Sequence, residues 1–471
     1  MSAIPQDPAF PGLAEVLPAA GAPGFVADTV GAMTQQAVRA EQGELAYFDY
    51  RPTRHCRIMW SFPMEPGRRL MVSGNLFNDG AGGGAVADPS FQQLADRAAV
   101  RLAPGSRPYC YLADRRMLLQ VFPLDYKVPG LLAASCEQRM TEAFAGLFGC
   151  PSEAVTIDIV PVSYKPWRRC VFRYDVASAG RRTRYYGKVF QDDRGQDMVS
   201  QLRALQAVFR ERGVPWDLPA PVMYVPEAQM LVLEAVEGDQ ELKTVLVEAL
   251  DDPGARTALR NHITRVAEGL IAFQQAAVEG LPHKRTPQDL LDDLKEDSCF
   301  MVGLEEVSSG LPRSIARLIG ALESEAARLP PEPLGLVHGS FRHSHFLCRG
   351  DRLVLLDLDG LCLAGVSADA GNFLAYLDRT ALRRPRLRPV LRECEAAFLE
   401  ALQRHPCLSA AWLNWHRAAA QVKWALRAYS SLYKSWLNTT TGLVALADCT
   451  LARVSAPGVN PGPGESTPPR E

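Results

Sequence analysis

Two stretches of the sequence repeat the same order of motifs at a nearly constant distance. The first runs through YRPTRHC (50–56), RIMWSF, GRR, MVSGNLF and YLADRRM (111–117). The second runs through YKPWRRC (164–170), VFRYDV, GRR, RYYGKVF and YVPEAQM (224–230). Tyr50 and Tyr164 are 114 residues apart, and Met117 and Met230 are 113 apart. A fixed period of this kind predicts two copies of one folding unit.

Each copy has the pattern of two strands, a loop, a helix and two further strands, because aromatic and β-branched runs alternate with Gly, Pro and Asp clusters. The two helices are predicted at 90–102 and 196–211. After residue 242, helical periodicity appears at 255–279, 286–297 and 312–327, followed by a strand-rich island at 335–364 and by helices from 386 to 454. The sequence therefore predicts two small α/β lobes followed by a mostly helical lobe.

These patterns divide the chain into five predicted parts. They are a loosely ordered segment (1–44), a degenerate first lobe (45–150), a second lobe (151–242), a helical lobe (243–455) and a tail (456–471). Half of the tail is Pro and Gly, which predicts disorder.

The charge balance excludes some broad functions. Lys and Arg number 51 and Asp and Glu 53, so a net charge of -2 gives no general attraction to nucleic acid or membrane surfaces. The eleven cysteines contain no C-x-x-C pair, which favours a reducing compartment. No secretory signal or membrane-spanning run is visible, and we expect a cytoplasmic protein.

The strand-rich island contains the residues that suggest chemistry. It reads LVHGSFRHSHF from Leu336, then a short hairpin, then LDLDG with Asp357 and Asp359, then DAGNFL from Asp369. These motifs resemble those of the aminoglycoside phosphotransferase and choline-kinase-like family, which has H-G-D-x-x-x-x-N followed by I-D-F. The resemblance implies an α+β, protein-kinase-like bilobal fold, here with a duplicated and degenerate N-terminal lobe.

The resemblance also implies roles for individual residues. Lys188, central in RYYGKVF, would bind nucleotide phosphates, and the backbone of Glu234 and Val236 would receive the nucleotide base. Asp357 would serve catalysis and hold a metal ion together with His345 and Asp359. Asp369 would brace the catalytic loop.

Two departures from the family pattern fall on functional positions. Ser340 occupies the place of the catalytic base and His345 that of a metal-binding asparagine. A serine hydroxyl cannot accept a proton as a carboxylate does, and imidazole suits Mn or Zn better than Mg. An alternative is a separate metal site formed by His338, His343 and His345.

The expected function is transfer of a phosphoryl group from ATP or GTP, with Mg or Mn, to a small-molecule hydroxyl. The alternative is a pseudokinase that acts as a regulatory or scaffold protein, and a third class is nucleotidyl transfer. Asn75 occupies the place of Lys188 in the first copy, which predicts a non-catalytic lobe that packs, regulates or forms a homodimer.

Two charged segments have open interpretations. An acidic stripe on one helical face would attract a cationic acceptor or simply face solvent. It consists of Asp289, Asp292, Asp293, Glu296 and Asp297. The segment from Arg379 to Arg392 contains six arginines. This cluster is compatible with binding of an anionic ligand or with an exposed surface loop.

Overall fold

A computed structural model describes residues 7–10, 12–17, 21–64, 67–78, 81–236, 238, 240–276, 284–301, 303–405, 407–432 and 435–454. The predicted tail at 456–471 lies outside these residues. No helix in the described part of the chain is long and apolar enough to cross a membrane.

The first sheet follows helix α1 (Gly24–Thr34), whose Val26 and Val30 are fully buried against it. Its strands are β1 (Glu44–Arg51), β2 (His55–Met64), β3 (Arg68–Leu76), β4 (Tyr109–Leu112) and β5 (Met117–Val121). The strands are antiparallel in the order β1-β2-β3-β5-β4. Helices α2 (Ala81–Ala87) and α3 (Pro89–Ala99) connect the third and fourth strands. The region before residue 44, for which the sequence predicts little order, thus contributes apolar side chains to this sheet's core.

The second sheet follows helices α4 (Leu131–Ala134) and α5 (Glu137–Phe148). Its chain segments are β6 (Val155–Lys165), β7 (Arg169–Ser178), β8 (Arg181–Val189), helix α6 (Arg194–Arg212), the short strand β9 (Trp216–Asp217), β10 (Pro221–Val225) and β11 (Met230–Glu234). The sheet is antiparallel in the order β6-β7-β8-β11-β10, and β9 lies outside it. The two sheets therefore share one strand order, with a helix at the same place in the connection. Duplication as its origin stays a prediction.

A buried aspartate ties down the turn between the first two strands of each sheet. Asp7 Oδ2 accepts hydrogen bonds from Tyr50 Oη (2.7 Å) and the Thr53 amide (2.8 Å). Asp125 Oδ2 accepts from Tyr164 Oη (2.8 Å) and the Trp167 amide (2.8 Å). Thr53 and Trp167 both have positive φ, 61° and 59°. The two turns therefore have matching backbone conformation and matching anchors.

This match extends the repeat to a motif that the sequence analysis missed. Asp7 opens DPAFPGL and Asp125 opens DYKVPGL, so both segments have the form D-x-x-apolar-P-G-L. The interval between them is 118 residues, which differs slightly from the main period.

The helical part begins after strand β12 (Gln240–Glu241). Its helices are α7 (Leu242–Glu248), α8 (Pro253–Gln274), α9 (Pro287–Ser298), α10 (Leu304–Val307), α11 (Leu311–Ala326), α12 (Ala368–Arg383), α13 (Arg388–Leu402), α14 (Ala410–Ser431) and α15 (Trp436–Ala452). The helices predicted at 286–297 and 312–327 are confirmed as α9 and α11. The one predicted at 255–279 is α8, and residues 277–279 lie outside the described part of the chain.

The strand-rich island consists of β13 (Leu334–Val337), β14 (Phe346–Arg349), β15 (Arg352–Leu355) and β16 (Cys362–Gly365). Strands β12, β14, β15 and β9 form a four-stranded sheet in that order, and β13 pairs with β16. The island thus joins the second sheet's chain to the helices.

Buried Trp216 fixes the helical part against the segment that follows α6. Its indole packs at 5.9 Å from the Phe273 ring and at 5.3 Å from the Phe346 ring. A Cβ at Gly269 would lie 2.1 Å from Trp216 Cε2, so this close approach of α8 requires glycine. Burying an aromatic side chain of this size contributes roughly 3 kcal/mol to folding.

Candidate functional site

Lys188 from the second sheet meets the acids of the island in a crevice between the sheet and the helical part. Lys188 Nζ lies 2.6 Å from Asp357 Oδ1 and 2.5 Å from Asp359 Oδ1. The lysine side chain is 11% exposed and the two carboxylates are 24% and 21% exposed. The structure therefore brings together three of the residues singled out in the sequence.

Asp357 and Asp359 face the same cation because of the backbone conformation after β15. Asp357 has φ 63° and directly precedes a short 3-10 turn, Leu358–Gly360. The backbone changes direction at Asp357. Burial alone would raise the pKa of Asp357, but Lys188 and Arg169 hold it well below its ordinary value. The carboxylate is therefore ionised at neutral pH.

Arg169 is a second cation on the same acids, and the sequence analysis missed it. Its Nη1 lies 2.7 Å from Asp359 Oδ2 and 3.2 Å from Asp357 Oδ1. Arg169 begins β7, directly after the turn that carries Trp167. The sequence analysis recognised W-R-R only as part of the repeat. The position of Arg169 on the strand next to that of Lys188 was the signal that could have identified it.

Asp369 fixes the backbone of the loop that corresponds to the catalytic loop of the family pattern. Asp369 Oδ2 accepts from the His338 amide (2.6 Å) and its Oδ1 from the Gly339 amide (3.1 Å). Burial raises the pKa of Asp369 to about 7, although these two amides oppose the shift. The geometry matches the bracing role expected for this residue.

Ser340 lies beside His338 at the end of this loop. Its Oγ is 3.4 Å from His338 Nδ1, while His338 Nε2 is 2.9 Å from the Leu356 carbonyl oxygen. Burial lowers the pKa of His338, so the ring is neutral at pH 7. Since the carbonyl requires a donor, the proton sits on Nε2, and Nδ1 accepts from Ser340.

His345 lies next to Asp357, but its facing nitrogen is already engaged. His345 Nε2 is 3.6 Å from Asp357 Oδ2 and accepts a hydrogen bond of 2.7 Å from Arg342 Nε. Burial and Arg342 lower the pKa of His345 to about 2. The expected metal ligation by His345 stays a prediction, because this nitrogen has no free lone pair in the arrangement observed.

In the described part of the chain, no group of three or more His, Cys, Asp or Glu side chains is placed to hold a metal ion. The His338, His343 and His345 site that the spacing allowed is therefore wrong. Asp357, Asp359 and His345 do not form such a group either, and metal binding by the carboxylates of Asp357 and Asp359 stays a prediction.

The 165–169 loop above the crevice is anchored on the first sheet through Trp167. The Trp167 Nε1 donates to Gln120 Oε1 (3.1 Å), and its ring lies 5.6 Å from the Phe77 ring. Together with the Asp125 hydrogen bond, these contacts fix the loop that carries Lys165 and Arg169. The first sheet thus supports the loop that covers the site.

A large cleft lies along the segment that joins the lobes, and Lys188, Asp357 and Asp359 are not among its lining residues. Its volume is about 1510 Å³, and its lining includes Tyr186, Glu234, Ala235, Val236 and Leu347. The Glu234 amide donates to the Ala220 carbonyl oxygen (2.9 Å) and the Ala235 amide to that of Arg184 (3.1 Å). These two amides are therefore bonded within the chain, and binding of the nucleotide base by the backbone of Glu234 and Val236 stays a prediction.

Comparison with known proteins assigns the family. The model of the phosphotransferase enzyme family (APH) matches residues 172–420, more than half of the chain. This chain belongs to that phosphotransferase family. The α+β, protein-kinase-like fold expected from the sequence is confirmed, with an antiparallel N-terminal sheet and a helical C-terminal lobe.

Several solved structures are similar to this phosphotransferase. A choline/ethanolamine kinase family protein from Mesorhizobium loti has 15% identity and a TM-score of 0.41, over 68% of this chain and 95% of that one. Aminoglycoside phosphotransferase APH(4)-Ia has 15% identity and a TM-score of 0.43, over 67% and 98%. Amicoumacin kinase hAmiN, in complex with AMP-PNP, Ca2+ and Ami, has 14% identity and a TM-score of 0.43, over 68% and 95%. No curated protein matches the chain.

Three of the five carboxylates of the acidic stripe are paired with cations of the chain itself. Glu296 pairs with Arg54 (2.6 Å) and Asp297 with Arg51 (3.6 Å), both from the turn of the first sheet. Asp293 pairs with Arg285, and Asp289 forms a capping box with Thr286 at the start of α9. The stripe therefore docks the first sheet onto the helical part.

Proposed function

We propose that this chain transfers the γ-phosphate of ATP or GTP to a hydroxyl group of a small molecule. The observation that carries the proposal is the 2.6 Å contact between Lys188 Nζ and Asp357 Oδ1 in a member of a phosphotransferase family. Phosphoryl transfer requires a lysine and metal-binding acids held around one point, because catalysis rests on positioning and charge neutralisation. The crevice supplies both.

The chain's own residues have distinct tasks in this proposal. Lys188 exchanges its carboxylate partners for the nucleotide phosphates, and Arg169 adds a second cation from the loop above. The nucleotide base would be received by the backbone of Glu234, at the end of the strand paired with that of Lys188, and by that of Val236 just after it. The anchored 165–169 loop excludes water from the phosphates.

The donor set of Asp357 and Asp359 fits Mg²⁺ or Mn²⁺. Magnesium is commonly bound by one or two carboxylates together with substrate phosphates, and these two carboxylates share one cation in the structure. When bound, the ion would neutralise charge on the transferring phosphoryl group. His345 can join the acids only after Arg342 releases its Nε2.

Ser340 marks the acceptor side of the crevice. Its hydroxyl can orient an acceptor hydroxyl, but it cannot take the proton as a carboxylate does. General-base catalysis typically contributes about 10²- to 10⁴-fold, so we expect slow turnover rather than none.

The test uses ATP labelled at the γ- or the α-phosphate, with Mg²⁺ or Mn²⁺ and a panel of small hydroxyl compounds. The proposal predicts that acceptors gain label from γ-labelled ATP only. Label from α-labelled ATP would instead indicate nucleotidyl transfer. Ser340→Asp should raise turnover, whereas Ser340→Ala should not.

A pseudokinase is the second candidate, and one observation favours it. The Arg169 guanidinium contacts both Asp357 and Asp359, so the acids are neutralised by two cations of the chain itself. A protein that binds nucleotide, shows no transfer to any acceptor and gains none from Ser340→Asp would fit this candidate better.

A further inference from the structure

Three arginines surround one tryptophan on the acceptor side of the crevice. The Cζ atoms of Arg342, Arg379 and Arg427 lie 5.8, 5.0 and 5.2 Å from the ring centroid of Trp424. We call these four residues the Trp424 cluster. Cations favour aromatic faces, but three on one ring repel one another.

Within the described residues, the arginines of the Trp424 cluster form no ion pair with an acid. Among the described residues, no carboxylate oxygen lies within 4 Å of a guanidinium nitrogen of Arg342, Arg379 or Arg427. The acid that acts on Arg427 from α9 is Asp297, and it already pairs with Arg51. The cluster therefore carries excess positive charge.

Two further observations show the strength of this charge. Burial would raise the pKa of Tyr376, yet Arg342 and Arg379 bring it below its ordinary value. The Nε atom of Arg379 is buried and has no hydrogen-bond partner within the described part of the chain. An unpaired buried donor is destabilising, and a bound acceptor would satisfy it.

The Trp424 cluster is connected to the catalytic loop. Trp424 Nε1 donates to Asn372 Oδ1 (3.2 Å), and Asn372 Nδ2 donates to the carbonyl oxygen of Phe341, next to Ser340 (2.7 Å). On the other side of the cluster, Arg342 Nε donates a hydrogen bond to His345 Nε2, and His345 lies beside Asp357. A ligand group in the cluster would thus lie against the loop at which the acceptor hydroxyl must be placed.

We propose that the Trp424 cluster binds an anionic group, a phosphate or a carboxylate, of a small-molecule acceptor. The proposal rests on the proposed function for the hydroxyl that receives the phosphoryl group, but the anion site itself does not depend on transfer. It replaces the expectation of a cationic acceptor, since the carboxylates of α9 are already engaged by Arg51, Arg54 and Arg285.

The test is calorimetric titration of inorganic phosphate, and separately of acetate, into the full chain with saturating AMP-PNP and Mg²⁺. The double variant R379Q/R427Q should bind the preferred anion about a hundredfold more weakly, because each of the two lost charged contacts contributes about tenfold. The matched control R386Q/R392Q removes the same charge from exposed arginines outside the cluster and should keep the wild-type affinity. Because Arg427 is exposed, R427Q alone provides the test if the double variant does not fold.

Equal anion affinity in wild type and R379Q/R427Q, or no anion binding at all, would overturn the proposal. K188A separates this result from the proposed function. It should weaken AMP-PNP binding while phosphate affinity, measured without nucleotide, stays within about twofold. If the chain binds phosphate through the cluster but does not bind AMP-PNP, the proposed anion site stands and the proposed phosphotransferase function is refuted.

Discussion

The two five-stranded sheets have the same strand order and matching anchored turns, yet they face different surroundings. Lys188 in the second sheet meets two carboxylates at 2.5 and 2.6 Å. Asn75, its equivalent in the first sheet, is 2% exposed, and its side-chain nitrogen and oxygen have no partner among the described residues. The same strand arrangement thus forms a charged crevice in the second sheet, which faces the island, and a closed interface at the equivalent position of the first sheet.

The turns of the two sheets show the same division. Arg51 and Arg54 of the first turn pair with acids of α9 and hold the sheet on the helical part. Arg169 of the second turn pairs with Asp357 and Asp359. Cations from the two turns therefore serve packing in one copy and the candidate active site in the other, although the position of Arg169 is His55 in the first copy.

The largest effect is expected from Lys188→Ala. Losing a preorganised cation from the phosphates should lower transfer by about 10²- to 10³-fold and weaken nucleotide binding. Asn75→Ala, the same truncation in the first sheet, should leave both within about twofold. Label transfer and calorimetric titration of ATP measure the two effects, and equal losses in the two variants would end the functional contrast between the sheets.

Asn75→Lys tests the contrast through stability. A lysine in this buried position has no carboxylate partner, so we expect the free energy of unfolding to fall by about 2–4 kcal/mol. Asn75→Leu removes the unpaired amide and should be neutral or stabilising. Urea unfolding monitored by circular dichroism gives both values. A lysine tolerated as well as leucine would show that this face of the first sheet is open to charge.

Trp167→Ala tests the support that the first sheet gives to the second. Without the contacts to Gln120 and Phe77, the 165–169 loop loses its anchor, and we expect the nucleotide KM to rise about tenfold with a smaller change in kcat. Thr53→Ala changes the equivalent position of the other turn and should leave KM unaltered. If kcat fell while KM stayed constant, the loop would act on the transfer step instead of on binding.

The smallest effect concerns pH. Burial and the neighbouring Arg169 lower the pKa of Lys165 from 10.5 to about 8, so its positive charge is lost as pH rises through about 8. Nucleotide affinity should then fall a few-fold between pH 7 and pH 9, and Lys165→Arg should remove this fall because arginine stays charged. Since the native state binds fewer protons here than the unfolded chain, this residue's contribution to the free energy of unfolding rises with pH between about 8 and 10.5.

Titration of ATP across this range gives the affinities. An equally steep loss in Lys165→Arg would assign the titration to another group.

Local patterns predicted the fold and part of the site. The repeat and the helical periodicity indicated the lobes, and the family motifs singled out Asp369 and Asp357. Asp369 is 31 residues from the His338 amide that it binds, whereas Lys188 and Asp357 are 169 residues apart and were related only through the family resemblance. Arg169 and the Trp424 cluster could not be predicted in the same way. Their partners lie 188 residues away for Asp357 and 82 residues away for the Arg342 and Trp424 pair. The roles expected for Glu234 and Val236 stay predictions.

A crystal structure with AMP-PNP and Mg²⁺ tests the central claim most directly. The account predicts phosphates between Lys188 and the carboxylates of Asp357 and Asp359, with the Arg169 guanidinium moved from the acids onto phosphate oxygens. Phosphates bound elsewhere, with the Lys188, Arg169, Asp357 and Asp359 contacts unchanged, would contradict it.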